Sequence, residues 1–144
     1  MNINIRGRLF DLSKPKVMGI LNLTPDSFYD GGVHNEINKI EDHVNKMVND
    51  GMDILDIGGY SSKPGAKNIS VDEELSRVIP ILKHIRKIFP ELVISIDTFR
   101  SKIASASLNE GADIINDISG GTFDKNMMSI VAKNNCPYIL MHIQ

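Results

Sequence analysis

The sequence predicts an α/β fold built on a parallel β-sheet. Short runs rich in Ile, Val and Leu alternate in strict rotation with longer segments whose apolar residues recur at helical spacing. Continuous apolar runs are typical of parallel strands that are buried on both faces. The rotation implies right-handed crossovers and fits either an open doubly wound sheet or a (β/α)8 barrel. Periodicity alone leaves both architectures open.

Five buried strands are predicted after a short opening segment. The opening alternates apolar and polar residues around Ile3, Ile5 and Leu9, with a turn expected at Arg6 and Gly7. The five apolar runs lie at 17–23, 54–57, 92–96, 114–118 and 138–141.

Four helices are predicted between these strands. The first places the apolar residues of 37–48 on one face and stops at Gly51. The second has the clearest start, because Ser70 and Glu73 form a capping box in which each side chain can bond an unpaired backbone N–H. The third and fourth cover about 102–110 and 125–134. Every strand but the first follows a helix, so a barrel with this repeat would be little more than half built.

The composition fits one globular domain over residues 1–144. The chain is 42% hydrophobic and 24% charged, with a formal net charge of -2, and its Lys and Arg are scattered among acids. This argues against nucleic acid as a partner. No apolar run approaches the ~20 residues that cross a bilayer, so no membrane partner is expected. The single cysteine, Cys136, fits the reducing cytoplasm.

Polar residues end the predicted strands one after another. They are Asn22, Asp56, Asp97, Asn116 with Asp117, and His142. The carboxyl ends of parallel strands form the active face of such folds, so these side chains are expected to share one pocket. The alternative for any one Asp or Asn is a cap on the following helix, and the alternative for His142 is a packed core histidine. Five strands that end in this way favour the shared pocket.

Two connections on that face are long and unusual in composition. The first, 24–32, mixes Pro and Gly with acids and aromatics, and the second, 58–70, mixes Gly with Ser61, Ser62 and Lys63. Hydroxyls, backbone N–H groups and a lysine can surround phosphate oxygens, which favours anion binding by the second loop. A surface loop with a solvated lysine is the alternative.

Asn22 and Asp26 carry the hard oxygen atoms that Mg²⁺ accepts while it keeps waters and shares a substrate's phosphates. No cluster with zinc spacing, no Gly-x-Ser-x-Gly elbow and no Walker-type loop occurs in the sequence. Nucleotide hydrolysis and triad chemistry therefore have no support.

Four blocks of the sequence resemble the signatures of dihydropteroate synthases. They are GILNLTPDSFYDGG at 19–32, DIGGYSSKPGA at 56–66, SIDTFRSKIA at 95–104 and GADIINDISGG at 111–121. The second block more often reads GGESTRPG, so Tyr60, Ser62 and Lys63 stand in place of Glu, Thr and Arg. Lysine keeps the charge of arginine but cannot make its planar two-pronged contact.

The resemblance implies a (β/α)8 TIM barrel, of which this chain would form the first five strands and four helices. It implies catalytic positions at Asn22, Asp56, Ser61, Ser62 and Lys63. It implies a pterin site at Asp97, Asn116, Ile118 and Met141, and contacts to p-aminobenzoate from Phe28 and Pro64. Asn22 would help to hold pyrophosphate and Mg²⁺, and Asp56 would orient the second loop.

The resemblance also implies the reaction, in which a dihydropterin pyrophosphate and p-aminobenzoate give dihydropteroate and pyrophosphate. The substrates are small molecules, and a complete member is expected to be a homodimer. The family's second half contributes an acid, a lysine and an Arg-x-His pair that these 144 residues lack. The chain alone is therefore expected to have little or no synthase activity.

A truncated chain is the preferred explanation of the length, with a split enzyme and paired half-barrels as alternatives. Other functions also stay open. A pterin-binding methyltransferase domain would share the barrel, but the TPDSF and SSKPG loops argue against it. A noncatalytic half-barrel that only binds pterin, and an unrelated α/β domain, remain alternatives.

Overall fold

The chain opens with a two-stranded antiparallel hairpin. In the computed structural model, which describes residues 1–24, 33–61 and 68–142, strands β1 (Asn2–Ile5) and β2 (Arg8–Asp11) pair along their whole length. Arg6 and Gly7 form the turn, and both have positive φ (49° and 78°), as a two-residue type I′ turn requires. The Asn4 side chain accepts a 2.8 Å hydrogen bond from the Gly7 N–H. The hairpin adds two strands to the five that the sequence predicts.

Within the described ranges five parallel strands follow, and they lie in the sheet in the order of the sequence. They are β3 (Met18–Asn22), β4 (Ile54–Gly58), β5 (Val93–Asp97), β6 (Ile114–Asp117) and β7 (Tyr138–Leu140). Each pairs in parallel with the next. A doubly wound sheet would reverse its strand order at a switch point, whereas a barrel keeps it. The barrel-type prediction is confirmed.

Four helices connect these strands in the described ranges, as predicted. They are α1 (Val33–Asn49), α2 (Val71–Ile88), α3 (Ser101–Asn109) and α4 (Met127–Lys133). The Ser70 hydroxyl caps α2 by accepting a 3.1 Å bond from the Glu73 N–H. Two positions beyond the end of each of the other three helices lies a residue with positive φ, namely Gly51, Gly111 and Asn135, and each end closes with the paired backbone bonds of a Schellman motif. Among the described residues, no helix has both the length and the apolar content needed to cross a bilayer.

The parallel sheet separates two apolar clusters. On its outer face, fully buried side chains such as Leu55 and Ile94 pack against the helices. On its inner face, Ile54 and Val93 pack against Ile5 of the hairpin. The hairpin thus covers the amino-terminal end of the inner face, and the carboxyl ends of the strands carry the polar residues.

A buried carboxylate fixes the hairpin to the sheet. The Asp113 side chain has no solvent exposure, and its two oxygens lie 2.6 Å from Arg6 Nε and 2.7 Å from Arg86 Nη2. The Ile94 N–H also donates to Asp113 at 2.9 Å. Because a buried charge is tolerated only when it is paired, this contact holds the turn of the hairpin against the amino-terminal end of the barrel.

Candidate functional site

The strand register gathers the polar residues of the inner face into adjacent rows. The uppermost row contains Asn22, Gly58, Asp97 and Asn116. One step below, Asp56 is paired with Ser95. Side chains two residues apart on a strand point to the same face, so both rows lie on the inner face of the sheet. Residues from four strands, far apart in the sequence, therefore lie at one end of the sheet.

Asp56 and Asn116 make direct contact. Asn116 Nδ2 donates to Asp56 Oδ2 at 3.0 Å, although 60 positions separate the two residues. Burial raises the pKa of Asp56, and the neighbouring Ser95 and Asn116 oppose this effect. Within the described part of the chain, three buried oxygens here have no hydrogen-bond partner, namely Asp56 Oδ1, Asn116 Oδ1 and Ser95 Oγ. Because unpaired buried acceptors are costly, the Asp56 and Asn116 oxygens suit a ligand that brings N–H donors, whereas the Ser95 hydroxyl can also donate.

Asp97 lies above this pair and is held by a tyrosine. The Tyr60 hydroxyl donates to Asp97 Oδ1 at 3.0 Å. Burial first, and then the negative charge of Asp56, raise the pKa of Asp97 to about 6, while the Tyr60 bond opposes them. Asp97 is therefore mostly a carboxylate at neutral pH, and it can accept hydrogen bonds from a ligand.

Gly58 leaves room between Asp97 and Asn22. A Cβ placed on Gly58 would lie 3.4 Å from Asp97 Oδ2 and 3.7 Å from Asn22 Oδ1, so both oxygens border the same space. No group of three His, Cys, Asp or Glu side chains suited to a metal ion occurs in the described ranges. A magnesium ion at Asn22 would thus depend on one amide oxygen, with waters and substrate oxygens as its other ligands, and the hard donor fits that requirement.

Asp117 has a different role from its neighbour Asn116. Its side chain is fully buried on the opposite face, where it accepts bonds from Ser119, from the Gly121 N–H and from the Tyr138 hydroxyl. Asp117 thus shapes the turn after β6 and ties it to β7. In the sequence Asn116 and Asp117 are simply two adjacent polar residues. The alternation of side chains along the strand places Asn116 on the inner face and Asp117 on the outer face.

The remaining predicted site residues are only partly covered by the structure. Ile118 is partly buried directly after β6, and Met141 is 42% exposed, with its N–H 3.3 Å from the Asp117 carbonyl oxygen. Ser61 is partly buried just after Tyr60. Asp26, Phe28, Ser62, Lys63 and Pro64 lie outside the described residues. The functional roles of all these residues stay predictions.

Sequence reasoning missed a buried ion pair beside the site. Glu74 of α2 is fully buried and accepts bonds from Thr98 Oγ1 at 2.9 Å and from Arg100 Nη1 at 2.6 Å. These contacts fix the segment that follows Asp97. A signal was present, because Glu74 lies four residues before the buried Val78 and so on the apolar stripe of the helix.

Comparison with known proteins identifies the family. Residues 18–144 match the family described as pterin binding enzyme. This match covers most of the chain and includes all five parallel strands. The chain therefore belongs to the pterin-binding enzyme family.

The relatives that match this chain include dihydropteroate synthases and folate synthesis proteins. The dihydropteroate synthase of Streptococcus pyogenes serotype M18 is 44% identical over 138 residues, which are 96% of this chain and 52% of that protein. A mitochondrial folate synthesis bifunctional protein of Arabidopsis thaliana is 48% identical over 97% of this chain and 26% of its own length. The chain thus spans about half, or less, of the relatives it matches.

A solved structure agrees over nearly the whole chain. The dihydropteroate synthase of Xanthomonas albilineans with 4-aminobenzoic acid superimposes with a TM-score of 0.90 at 38% identity, covering 99% of this chain and 52% of that one. At this identity and TM-score, the likeness extends beyond a shared general architecture. The predicted relation to dihydropteroate synthases is confirmed.

Proposed function

We propose that this chain supplies the pterin site of a dihydropteroate synthase. In that reaction the amine of p-aminobenzoate attacks the methylene carbon of a 7,8-dihydropterin pyrophosphate. A C–N bond forms, the C–O bond to pyrophosphate breaks, and the amine loses a proton, which gives 7,8-dihydropteroate. The names of the relatives support the proposal. The synthase activity of the whole protein is likewise part of this proposal, because the chain spans only about half the length of such a synthase.

The single observation that carries the proposal is the cluster of Asp56, Asp97 and Asn116. A pterin presents adjacent N–H donors and ring acceptors on its amino-pyrimidine edge. A carboxylate at Asp97 matches adjacent donors, and the amide of Asn116 matches mixed donors and acceptors. The unpaired oxygens of Asp56 and Asn116 supply further acceptors. These groups come from three strands of one sheet, so they are held in place before a ligand binds.

The leaving pyrophosphate gains negative charge, and its partners are proposed to lie at the mouth of the barrel. Asn22, Ser61, Ser62 and Lys63 are the candidate groups, and their hydroxyl, amide and ammonium hydrogens would stabilise that charge as the C–O bond breaks. Mg²⁺, when bound beside Asn22, would supply additional positive charge. The aromatic ring of p-aminobenzoate is proposed to lie between Phe28 and Pro64, nearer the surface.

The compartment and the assembly are also proposals. A whole protein of this kind is expected to act on small molecules in the cytoplasm as a homodimer, without nucleic acid or membrane partners. Cys136 is a free cysteine, and burial raises the pKa of its thiol to about 11, so the group is a poor nucleophile at neutral pH. A single cysteine allows no disulfide within this chain, which fits a reducing compartment. The homodimer rests on the resemblance alone.

Isothermal titration calorimetry tests the proposal. A 7,8-dihydropterin pyrophosphate, with magnesium present, is titrated into the 144-residue chain, and p-aminobenzoate is then added. We expect saturable pterin binding, with the same affinity in the control Asp72→Asn, which removes an exposed acid from the first turn of α2. Absence of pterin binding by a folded chain would contradict the proposed site. Dihydropteroate formation by the chain alone is expected to be slight, and turnover close to that of a complete synthase would refute that expectation.

A further inference from the structure

Tyr60 directs its hydroxyl at the carboxylate that the proposed function assigns to pterin recognition. It follows β4 by two positions, and its hydroxyl donates to Asp97 Oδ1 at 3.0 Å. The other oxygen, Asp97 Oδ2, borders the space above Gly58. The tyrosine bond therefore occupies one carboxylate oxygen, and it leaves the second oxygen next to the inner face of the barrel.

The ring of Tyr60 is held in place by other aromatic side chains. Phe99 meets it edge to face, with the ring centroids 5.1 Å apart and an angle of 80°. Phe123 packs on Phe99 in the same manner at 5.5 Å. The Arg100 guanidinium lies 5.0 Å from the centre of the Phe99 ring. Such contacts restrict the directions in which the tyrosine can turn.

The backbone before Tyr60 is fixed as well. Arg77 Nη1 donates to the Gly59 carbonyl oxygen at 3.0 Å. A Cβ on Gly59 would lie only 2.7 Å from Val78 Cγ2, so the glycine packs directly against helix α2. Because both the ring and the preceding backbone are constrained, the position of the Tyr60 hydroxyl is set by the fold and not by Asp97 alone.

The phenol keeps its proton in this environment. Burial, and after it the negative charge of Asp97, raise the pKa of Tyr60, so the hydroxyl remains a donor. The other carboxyl groups that act on Asp97 are those of Asp56, Glu74 and Asp117, and all three disfavour its ionised form. Tyr60 is the neighbour that donates a hydrogen bond to the carboxylate.

We propose that Tyr60 is a positioning residue that sets ligand specificity by holding the Asp97 carboxylate in one orientation. A fixed carboxylate favours a heterocycle with an amino group beside a ring N–H, and it repels one with a carbonyl oxygen at the amino position. A carboxylate that is free to turn would discriminate less between the two. The inference rests on the proposed pterin site, and it concerns a position where this chain departs from the motif it resembles.

The test compares two hydroxyl deletions. Tyr60→Phe removes the bond to Asp97 and keeps the ring, and Tyr138→Phe removes a matched hydroxyl, which donates to Asp117 at 2.8 Å on the opposite face of the sheet. Calorimetry gives the Kd of 6-hydroxymethylpterin and of the corresponding lumazine, which has a carbonyl in place of the 2-amino group. We expect the ratio of the lumazine Kd to the pterin Kd to fall about 10-fold in Tyr60→Phe and to stay unchanged in Tyr138→Phe.

A purely structural role would weaken both ligands equally and leave that ratio unchanged, which would overturn the inference. Failure of the wild-type chain to bind pterin would instead refute the proposed function. In that case the orientation is measured in the free protein, from NMR three-bond couplings that report the χ1 rotamer of Asp97. We expect one rotamer in the wild type and in Tyr138→Phe, and rotamer averaging in Tyr60→Phe. A single unchanged rotamer in Tyr60→Phe would also overturn the inference.

Discussion

At the scale of single residues, Asp97 is an acid whose surroundings oppose its ionisation. Burial and the nearby Asp56 charge raise its pKa to about 6, above the ordinary value of 3.8. The stabilising contribution of its protonated form is complete below the pKa of the unfolded chain, and it is lost as the pH rises from about 4 through about 6. At neutral pH the chain therefore carries this carboxylate at a cost in stability.

Replacement of this acid should stabilise the protein at neutral pH. We expect Asp97→Asn to raise the free energy of unfolding by about 3 kcal/mol above pH 7, with a difference that shrinks toward zero near pH 4. The amide can still accept the Tyr60 bond. Urea unfolding over this pH range measures the effect, with Asp72→Asn as the control for the loss of one exposed charge. A gain that is the same at every pH would contradict the raised pKa.

The position of the candidate site could be predicted from the sequence, because its polar residues lie at or near the ends of apolar runs. Asn22, Asp97 and Asn116 could be assigned to one end of the sheet from this pattern together with the rule for parallel strands. The pattern could not reveal the contact between Asp56 and Asn116, or the bond from Tyr60 to Asp97. Both contacts depend on the strand register and on side-chain direction, which are properties of the folded sheet.

At the scale of secondary structure elements, helix α2 organises the segments that flank the site. Its buried Glu74 binds Thr98 and Arg100 in the segment after β5, and its Arg77 binds the Gly59 carbonyl after β4. One helix thus positions the residues that follow two neighbouring strands. A shift of α2 would therefore displace the segments that contain Tyr60 and follow Asp97 at the same time.

The buried glutamate of α2 should therefore be important for stability. We expect Glu74→Ala to lower the free energy of unfolding by about 3 kcal/mol, because it leaves the Arg100 guanidinium and the Thr98 hydroxyl without this partner in a buried site. Chemical denaturation measures the loss. Glu74→Gln keeps the shape and the acceptor oxygen, so it should cost less than Glu74→Ala.

The control for this helix is Asp72→Ala, an exposed acid in the same first turn, whose effect should stay below about 1 kcal/mol. Equal losses for Glu74→Ala and Asp72→Ala would show that the buried pair adds no stability beyond that of a surface charge.

The helix and strand order was predictable because its signals are local. Ser70 marks the start of α2, and Gly51 and Gly111 mark the ends of α1 and α3. The choice between a doubly wound sheet and a barrel was not local, because it depends on which strands become neighbours. The consecutive strand order resolves that choice.

At the scale of the whole molecule, the inner face of the five-stranded sheet has one apolar end and one polar end. The amino-terminal hairpin covers the inner face at one end, where Ile5 packs with Ile54 and Ile114. Asp56, Asp97 and the rest of the polar cluster lie toward the other end. Since the hairpin closes the amino-terminal end of the inner face, a ligand is expected to enter from the carboxyl ends of the strands.

The packing of the hairpin can be tested with two residues from it. Ile5 is 5% exposed, and Leu9, on the second strand, is 78% exposed. We expect Ile5→Ala to lower the free energy of unfolding by about 3 kcal/mol, because it leaves a cavity under the sheet. Leu9→Ala should change it by less than about 0.5 kcal/mol. Thermal and urea unfolding measure both variants, and a similar small effect of the two would show that the hairpin does not form part of the core.

The central claim is that residues from separate strands meet on the inner face to recognise a pterin. It is tested most directly by calorimetric titration of 6-hydroxymethylpterin into the wild-type chain and into Asp97→Asn at neutral pH. We expect the substitution to weaken binding at least about 10-fold, because a charged acceptor is lost and an amide donor meets the ligand's own donors, while the protein stays folded. Equal pterin affinity of the two folded proteins would contradict the claim.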